Sequence, residues 1–443
     1  MVLFGTQQIN EKGHLVIGGC DTVDLVKQFG TPLYVMDEGL IRENCRKYVL
    51  SFRSRYPKTD IAFAGKAFIN MAMCRIVQQE GLYLDVASAG EIYTALEAGF
   101  PAEKLFFHGN NKSEDELRMA VKTGIGRVVV DNARELELLS AVATEVGRSV
   151  DILLRLTPGI DPHTHRLIRT GQADTKFGMN IKDGTAMSGV KKALELSGLV
   201  LRGFHCHVGS QLLDTKAHTA AARIMVQFAK DVLDETGFVA EEINTGGGLG
   251  IRYVEGQVPP TIEQFAADVT GAFIGALKEF GLTHEPRLIQ EPGRSIVGPA
   301  GTTLYTIGTI KTVPITESPG YRTYVAVDGG MSDNPRPALY DAAYEAVVAN
   351  KMNAEPSQVV TISGKHCETD TLIQNILLPN VVPGDILAVQ CTGAYNYTMS
   401  SNYNRFPRPA VVLVADGRAD VIVRRETLED LVSHDIIPER FKE

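Results

Sequence analysis

From residue 38 to residue 299, short apolar runs alternate with helical stretches, and this alternation limits the possible fold more than any other feature. The strand-like runs fall at 61–64, 83–86, 105–108, 127–130, 152–156, 201–207, 242–245 and 288–291. The helical stretches fall at 38–56, 70–80, 89–98, 113–122, 133–145, 184–196, 215–235 and 262–280. Strict alternation implies parallel strands joined by helical crossovers. Eight repeats close a (β/α)8 barrel of the TIM type, and the span is close to the roughly 250 residues typical of one. The first helix precedes the first strand, so the usual order is offset by one element. Ser113, before Glu114 and Glu116, predicts an oxygen cap followed by acidic first-turn residues. Ser88, three residues before Glu91, predicts a capping box.

After Pro299 the pattern turns β-rich, with runs at 302–313, 323–327, 358–363, 385–390 and 410–414. Asp416-Gly417 predicts a hairpin into 419–424. Segments 14–17 and 33–36 also look β-like. The expectation is a barrel over 38–296 and a separate, mainly antiparallel domain built from 1–37 together with 297–443.

Composition removes several function classes. The net charge is −9 with no basic run, which disfavours nucleic acid and anionic membranes as partners. No apolar run is long enough to cross a bilayer. Six scattered cysteines, with no Cys-x-x-Cys pair, suggest neither a zinc site nor a disulfide framework. The expectation is a soluble cytoplasmic enzyme with no metal.

Barrel active sites gather at the C-terminal ends of the strands, and several chemistry-bearing segments fall there. Lys66, in Ala64-Gly-Lys-Ala67, ends the first run, where its amine could form an imine with a carbonyl cofactor. The glycines of Gly246-Gly-Gly-Leu-Gly250, Gly248 among them, would let backbone N–H groups approach a phosphate after the seventh strand. Glu291-Pro-Gly293-Arg294 ends the eighth run. Its carboxylate could keep a pyridine nitrogen protonated, and its guanidinium could clamp a carboxylate or phosphate. A buried Glu–Arg ion pair is the plainer reading of those two residues. His205 and His207, two apart on a strand, should point to one side. No acidic or cysteine partner at ligand spacing accompanies them, so an imidazole stacked on an aromatic cofactor fits better than a metal. Ser210 could bond a phosphate. In the second domain, Cys367 beside Glu368 reads as a proton donor near a polar ligand, because an ordinary thiol titrates near ~8.5 and is protonated at neutral pH. Arg336, held between two prolines, suits carboxylate recognition, and Tyr340 and Tyr395 lie in neighbouring segments.

These motifs, in this order, resemble the fold-type III pyridoxal phosphate decarboxylases, and most closely those acting on meso-diaminopimelate. The resemblance spans essentially the whole chain. It implies an alanine-racemase-like barrel with a β-sandwich domain, and a homodimer whose active sites are shared, with the Cys367 segment given to the partner chain. Residue by residue, it implies Lys66 as the cofactor-binding lysine and His207 as the imidazole on the cofactor face. Ser210, Gly248, Glu291, Gly293, Arg294 and Tyr395 would contact the cofactor. Arg294, Arg336, Tyr340, Glu368 and Tyr395 would bind substrate, and Cys367 would donate the proton. The chain departs from the family pattern at Phe63 and Phe68, where tyrosine and asparagine are usual, and at Asn396, where glycine is usual.

The expected activity is pyridoxal phosphate-dependent decarboxylation of meso-2,6-diaminopimelate to L-lysine and carbon dioxide, the last step of lysine biosynthesis. Another basic amino acid, or a carrier-bound glutamyl substrate, is the alternative. A non-catalytic cofactor-binding protein on the same barrel would have little use for Cys367-Glu368.

Overall fold

A computed structural model of the chain describes residues 2–160, 174–316 and 319–442. They divide into two compact units, Ile41–Val297 and Met1–Leu40 with Gly298–Glu443.

In the first unit the eight expected strands form a closed ring. They are Thr59–Ala64, Tyr83–Val86, Leu105–Phe107, Arg127–Val130, Val150–Thr157, Leu199–His205, Glu242–Asn244 and Arg287–Gln290. Each pairs in parallel with the next, and the eighth pairs back to the first through Leu288 and Thr59. Glu38–Arg53 comes before the first strand in sequence, so the offset order is observed. Local chemistry starts and stops the helices that follow. Asn70 accepts from Met73 N–H at 2.9 Å and opens Met71–Gln79. Ser113 and Glu116 form a reciprocal capping box on Glu114–Thr123, which Gly124 ends in a left-handed conformation. At Ser88 only half of the expected box forms. Ser88 accepts from Glu91 N–H, but the Glu91 carboxylate reaches one residue further back, to Ala87 N–H at 2.6 Å.

The ring is packed, not hollow. Ala62, Phe106, Val129, Leu153 and Ile289 form one buried cluster, with Tyr83 against it. They come from strands that are not all neighbours, so they can meet only inside the ring. Burying each large member stabilises the unit by about 1.5–3 kcal/mol. Side chains alternate sides along a strand. Two residues beyond Tyr83, Phe106, Val129, Leu153 and Ile289 come Asp85, His108, Asp131, Arg155 and Glu291, all buried. A polar layer therefore lies on top of the apolar one, at the C-terminal end of the strands.

The second unit holds a nine-stranded mixed sheet. Its main path runs Thr371–Leu378, Gln358–Ser363, Tyr321–Val327, Gly301–Pro314, Leu33–Asp37, Ala410–Ala415 and Arg418–Val423. Ile386–Val389 pairs with Gly301–Pro314 and carries Ala346–Val348. The pairing is mainly antiparallel. The exceptions are Tyr321–Val327 with Gln358–Ser363, and Leu33–Asp37 with Ala410–Ala415, which are parallel. Asp416 and Gly417 both take positive φ, as a two-residue hairpin turn requires. Gln8–Ile9, Leu15–Ile17 and Cys20–Asp21 form a separate three-stranded sheet. Among the described residues no helix is long and apolar enough to cross a membrane.

Candidate active site

Lys66 stands on a 3-10 turn, Gly65–Ala67, directly after the first barrel strand. A Cβ on Gly65 would lie 2.7 Å from the Asp85 carbonyl oxygen, so only glycine allows this approach between neighbouring strands. Ala67 and Phe68 are buried and pin the turn, while Lys66 is exposed. Phe63 and Phe68, two of the departures from the family pattern, are both fully buried. They are core residues, so the loss of two polar groups there is absorbed by packing.

Glu291 follows the eighth strand and is buried among donors from three other strands. Asn244 Nδ2 donates to its Oε1 at 2.7 Å, and His205 Nε2 lies 3.1 Å from its Oε2. His108 Nε2 lies 3.0 Å from Oε1 and 3.7 Å from Asp85 Oδ1. Burial alone would raise the Glu291 pKa, but the His108 and His205 imidazoles outweigh it and hold the carboxyl well below the usual range. Burial pushes His205 down to about 4, so its ring is neutral at pH 7. Burial pushes Asp85 up, against the opposing pull of His108. Arg155 lies over the Phe177 ring at 4.2 Å and 4.0 Å from Asp131, and Lys112 makes a buried 2.6 Å ion pair with Glu135. The plainer reading of Glu291 and Arg294 as an ion pair gives way here, because the carboxylate's close partners are the histidines and Asn244.

Asp85, His108, Arg155 and Asn244 were not singled out from the sequence. The first three carry a signal in hindsight, since Tyr83-Leu-Asp85, Phe106-Phe-His108 and Leu153-Leu-Arg155 each place a polar residue two positions past an inward apolar one. His205 is the last residue of the sixth strand, and His207 lies two residues past its end. The expected lack of an acidic partner held only for sequence spacing, because Glu291 reaches His205 from two strands away in the ring.

His207 Nδ1 accepts from Gly247 N–H at 3.3 Å. Burial, and then the charges of Lys66 and Arg155, hold its pKa well below the ordinary value, so it too is neutral. The glycine loop lies on the chain that follows His205. Leu212 N–H donates to Gly248 O at 3.0 Å, and Gly250 N–H donates to Leu212 O at 2.8 Å. A Cβ on Gly247 would fall 2.0 Å from Glu291 O, and Gly248 has a φ of 122°. Packing alone therefore demands these two glycines, before any ligand is considered. Arg294, buried at the start of the short helix Arg294–Val297, donates from Nη1 to Tyr253 Oη at 2.6 Å and from Nη2 to Ser210 Oγ at 2.9 Å. Gly293 packs on Ala64 and Ala67, where an added Cβ would meet each methyl at 3.0 Å. The first unit thus brings together Lys66, His207, Ser210, Gly248, Glu291, Gly293 and Arg294 around the C-terminal ends of its strands.

The remaining expected residues belong to the second unit. Arg336 opens the helix Arg336–Tyr340, is buried, and donates to Tyr344 Oη at 2.7 Å. Cys367 and Glu368 are exposed on a turn. Asp370 Oδ2 closes this turn by accepting from His366 N–H at 3.1 Å and lying 2.6 Å from His366 Nδ1. Cys367 N–H donates to Asn404 Oδ1 at 3.1 Å. Tyr395 has a positive φ of 61°. Asn396, the third departure, is fully buried with its amide 2.7 Å from that of Asn334.

The donor chemistry fits a pyridoxal group. An exposed amine, a neutral imidazole, a carboxylate held anionic and a guanidinium beside a hydroxyl all lie at one barrel end. The pyridoxal binding domain family of pyridoxal-dependent decarboxylases matches residues 40–298. A diaminopimelate decarboxylase of Bacillus subtilis is 48% identical over 437 residues, covering 98% of this chain and 98% of the relative. One of Bacillus methanolicus is also 48% identical, over 96% of this chain and 98% of the relative. Among solved structures, diaminopimelate decarboxylase from M. jannaschii in complex with L-lysine superposes with a TM-score of 0.92 at 35% identity, covering 99% of this chain and all of that one.

Proposed function

This chain belongs to the diaminopimelate decarboxylases, and we propose that it removes the carboxylate from the D-configured end of meso-2,6-diaminopimelate, releasing carbon dioxide and L-lysine. It is a pyridoxal-dependent carboxy-lyase. The observation that carries the reading is the pairing of Lys66, an exposed amine on a fixed turn, with the buried anionic carboxylate of Glu291 at the same barrel end.

Bound there, pyridoxal phosphate supplies a sink for the electron pair left behind when carbon dioxide departs. Lys66 would be its covalent anchor through Nζ. The Glu291 carboxylate would keep a proton on the ring nitrogen. The neutral imidazole of His207 would lie against the cofactor without adding a competing charge. Ser210, Gly248, Gly293, Arg294 and Tyr395 would be further contacts to it. For the substrate, Arg294 and Arg336 are each candidates for the distal carboxylate, Glu368 for the distal ammonium, and Tyr340 and Tyr395 for further contacts. Cys367 Sγ–H delivers a proton to the substrate α-carbon in place of the lost carboxylate, and solvent restores the thiol.

The protein acts as a cytoplasmic homodimer with shared active sites. The exposure of Cys367 and Glu368 on the second unit supports that arrangement, because a proton donor standing in water needs a second surface to enclose it. Ornithine and lysine lack the distal carboxylate and would leave the arginines without their partner.

A coupled assay for lysine formation, run beside carbon dioxide release from lysine, ornithine and arginine, tests the reading. Turnover of meso-diaminopimelate alone is expected. Faster release from ornithine or lysine would overturn it.

A further inference from the structure

We propose that His108 and His205 are positioning residues for the reaction, clamping the Glu291 carboxylate so that it meets the cofactor's ring nitrogen in one orientation. This rests on the role given to Glu291 above. A carboxylate buried this deeply is costly unless its lone pairs are filled. Glu291 is met by two hydrogen-bond donors, Asn244 and His205, and by the close imidazole of His108, each from a different barrel strand or its end. Asn244 Nδ2 is 2.7 Å from Oε1, His108 Nε2 is 3.0 Å from Oε1, and His205 Nε2 is 3.1 Å from Oε2. Both rings present Nε2 to the carboxylate, and His205, which burial keeps neutral, carries its hydrogen on Nε2 to donate it. The rings meet edge to face, with centroids 4.8 Å apart and planes at 67°, so neither can turn without moving the other. Asp85 Oδ1 lies 3.7 Å from the same His108 Nε2. The arrangement fixes both oxygens before any ligand arrives, which is the preorganisation an electrostatic role requires.

A bound cation is the rival explanation, since the ligand atoms of His108, His205 and Glu291 all lie within 4.8 Å of one another. His205 Nε2 hydrogen-bonds directly to Oε2 at 3.1 Å and Asn244 already donates to Oε1, so both oxygens are engaged without an ion, while His108 Nε2 stands 3.0 Å from Oε1.

The test uses the full-length, cofactor-loaded protein and the variants His108→Phe, His205→Phe, His108→Gln, His205→Gln and Glu291→Gln. Three quantities are measured: kcat and KM for lysine formation, the visible absorption spectrum across pH, and metal content after dialysis against a chelator. Loss of one hydrogen bond or close polar contact to a charged group predicts a fall in kcat of about 10- to 100-fold in each Phe variant. KM should move by less than the kcat change. The visible spectrum should change in the same direction as in Glu291→Gln. The Gln variants return an N–H near the Nε2 position and should recover most of the loss, even if a Phe variant folds poorly. Normal spectra and kcat in the His variants, with a defective Glu291→Gln, would overturn this inference and leave the role of Glu291 standing. A Glu291→Gln protein with normal spectrum and turnover would overturn that role itself. One tightly held metal ion per chain, lost in the His variants, would also overturn the clamp.

Discussion

The polar groups at the barrel mouth and those on the Cys367 turn are prepared in opposite ways. At the mouth, Glu291, His108, His205 and Asn244 are buried and already engaged with one another. On the turn, the backbone is fixed by Asp370, His366 and Asn404, while the Cys367 and Glu368 side chains stand exposed. Groups that must hold a charge through the whole cycle gain from low dielectric and fixed partners. A group that must give up a proton and recover it needs access to solvent or to another surface. The first kind of site is complete within its own unit. The second depends on what closes over it.

The largest effect should come from the exposed side of this comparison. Cys367→Ala should lower kcat by about 10²- to 10⁴-fold, the range for loss of a general acid, with a much smaller change in KM. An unchanged kcat would reject the proton-donor role. The same thiol should stand out in labelling. Five of the six cysteines are buried, and burial pushes Cys45, Cys74 and Cys206 up to about 12. A thiol reagent should therefore modify Cys367 first in the native protein, with the others reacting only on unfolding. Diaminopimelate should slow that first reaction if the turn helps to form a substrate site. Equal labelling of all six would remove the contrast between the two regions.

The buried side should show itself in acid. Burial holds His205 and His218 near 4 in the folded protein, against about 6.5 for an ordinary imidazole. Between those values the unfolded chain binds more protons than the folded one, so stability rises with pH. It should be complete above about 6.5 and fall as pH drops toward 4, by at most about 1.4 kcal/mol per pH unit for each ring. His218 packs edge-on against Phe265, so His218→Phe should flatten this slope in denaturant unfolding. A slope identical to the parent's would show that His218 titrates normally. The smallest effect should come from Ser113→Ala, which opens a solvent-exposed capping box and should cost about 1 kcal/mol with no change in kcat.

Legibility followed the same division. The eight barrel strands could be read because each is a short apolar run between helical patterns, and their C-terminal ends marked Lys66, His207 and Glu291. The polar layer was hidden because Asp85, His108 and Arg155 each sit at or just past the end of an apolar run, and only the two-residue period inside the ring exposes them. Asn244 looks like an ordinary loop-edge asparagine until Glu291 is placed beside it. In the second unit, Thr371–Leu378 and Ala346–Val348 passed unnoticed. The first is a mixed apolar and polar run whose periodicity does not separate strand from helix. The helix Thr22–Phe29 was also missed, since its β-branched residues argue locally for a strand, and the Asp21 cap decides the matter. The Phe63, Phe68 and Asn396 departures could not be judged from sequence. Their burial explains how the site tolerates them.

The most direct measurement is borohydride reduction of the cofactor-loaded protein, followed by digestion and peptide mapping. The account predicts one modified peptide, with the pyridoxyl group on Lys66. A label on any other lysine, or no label at all, would contradict it.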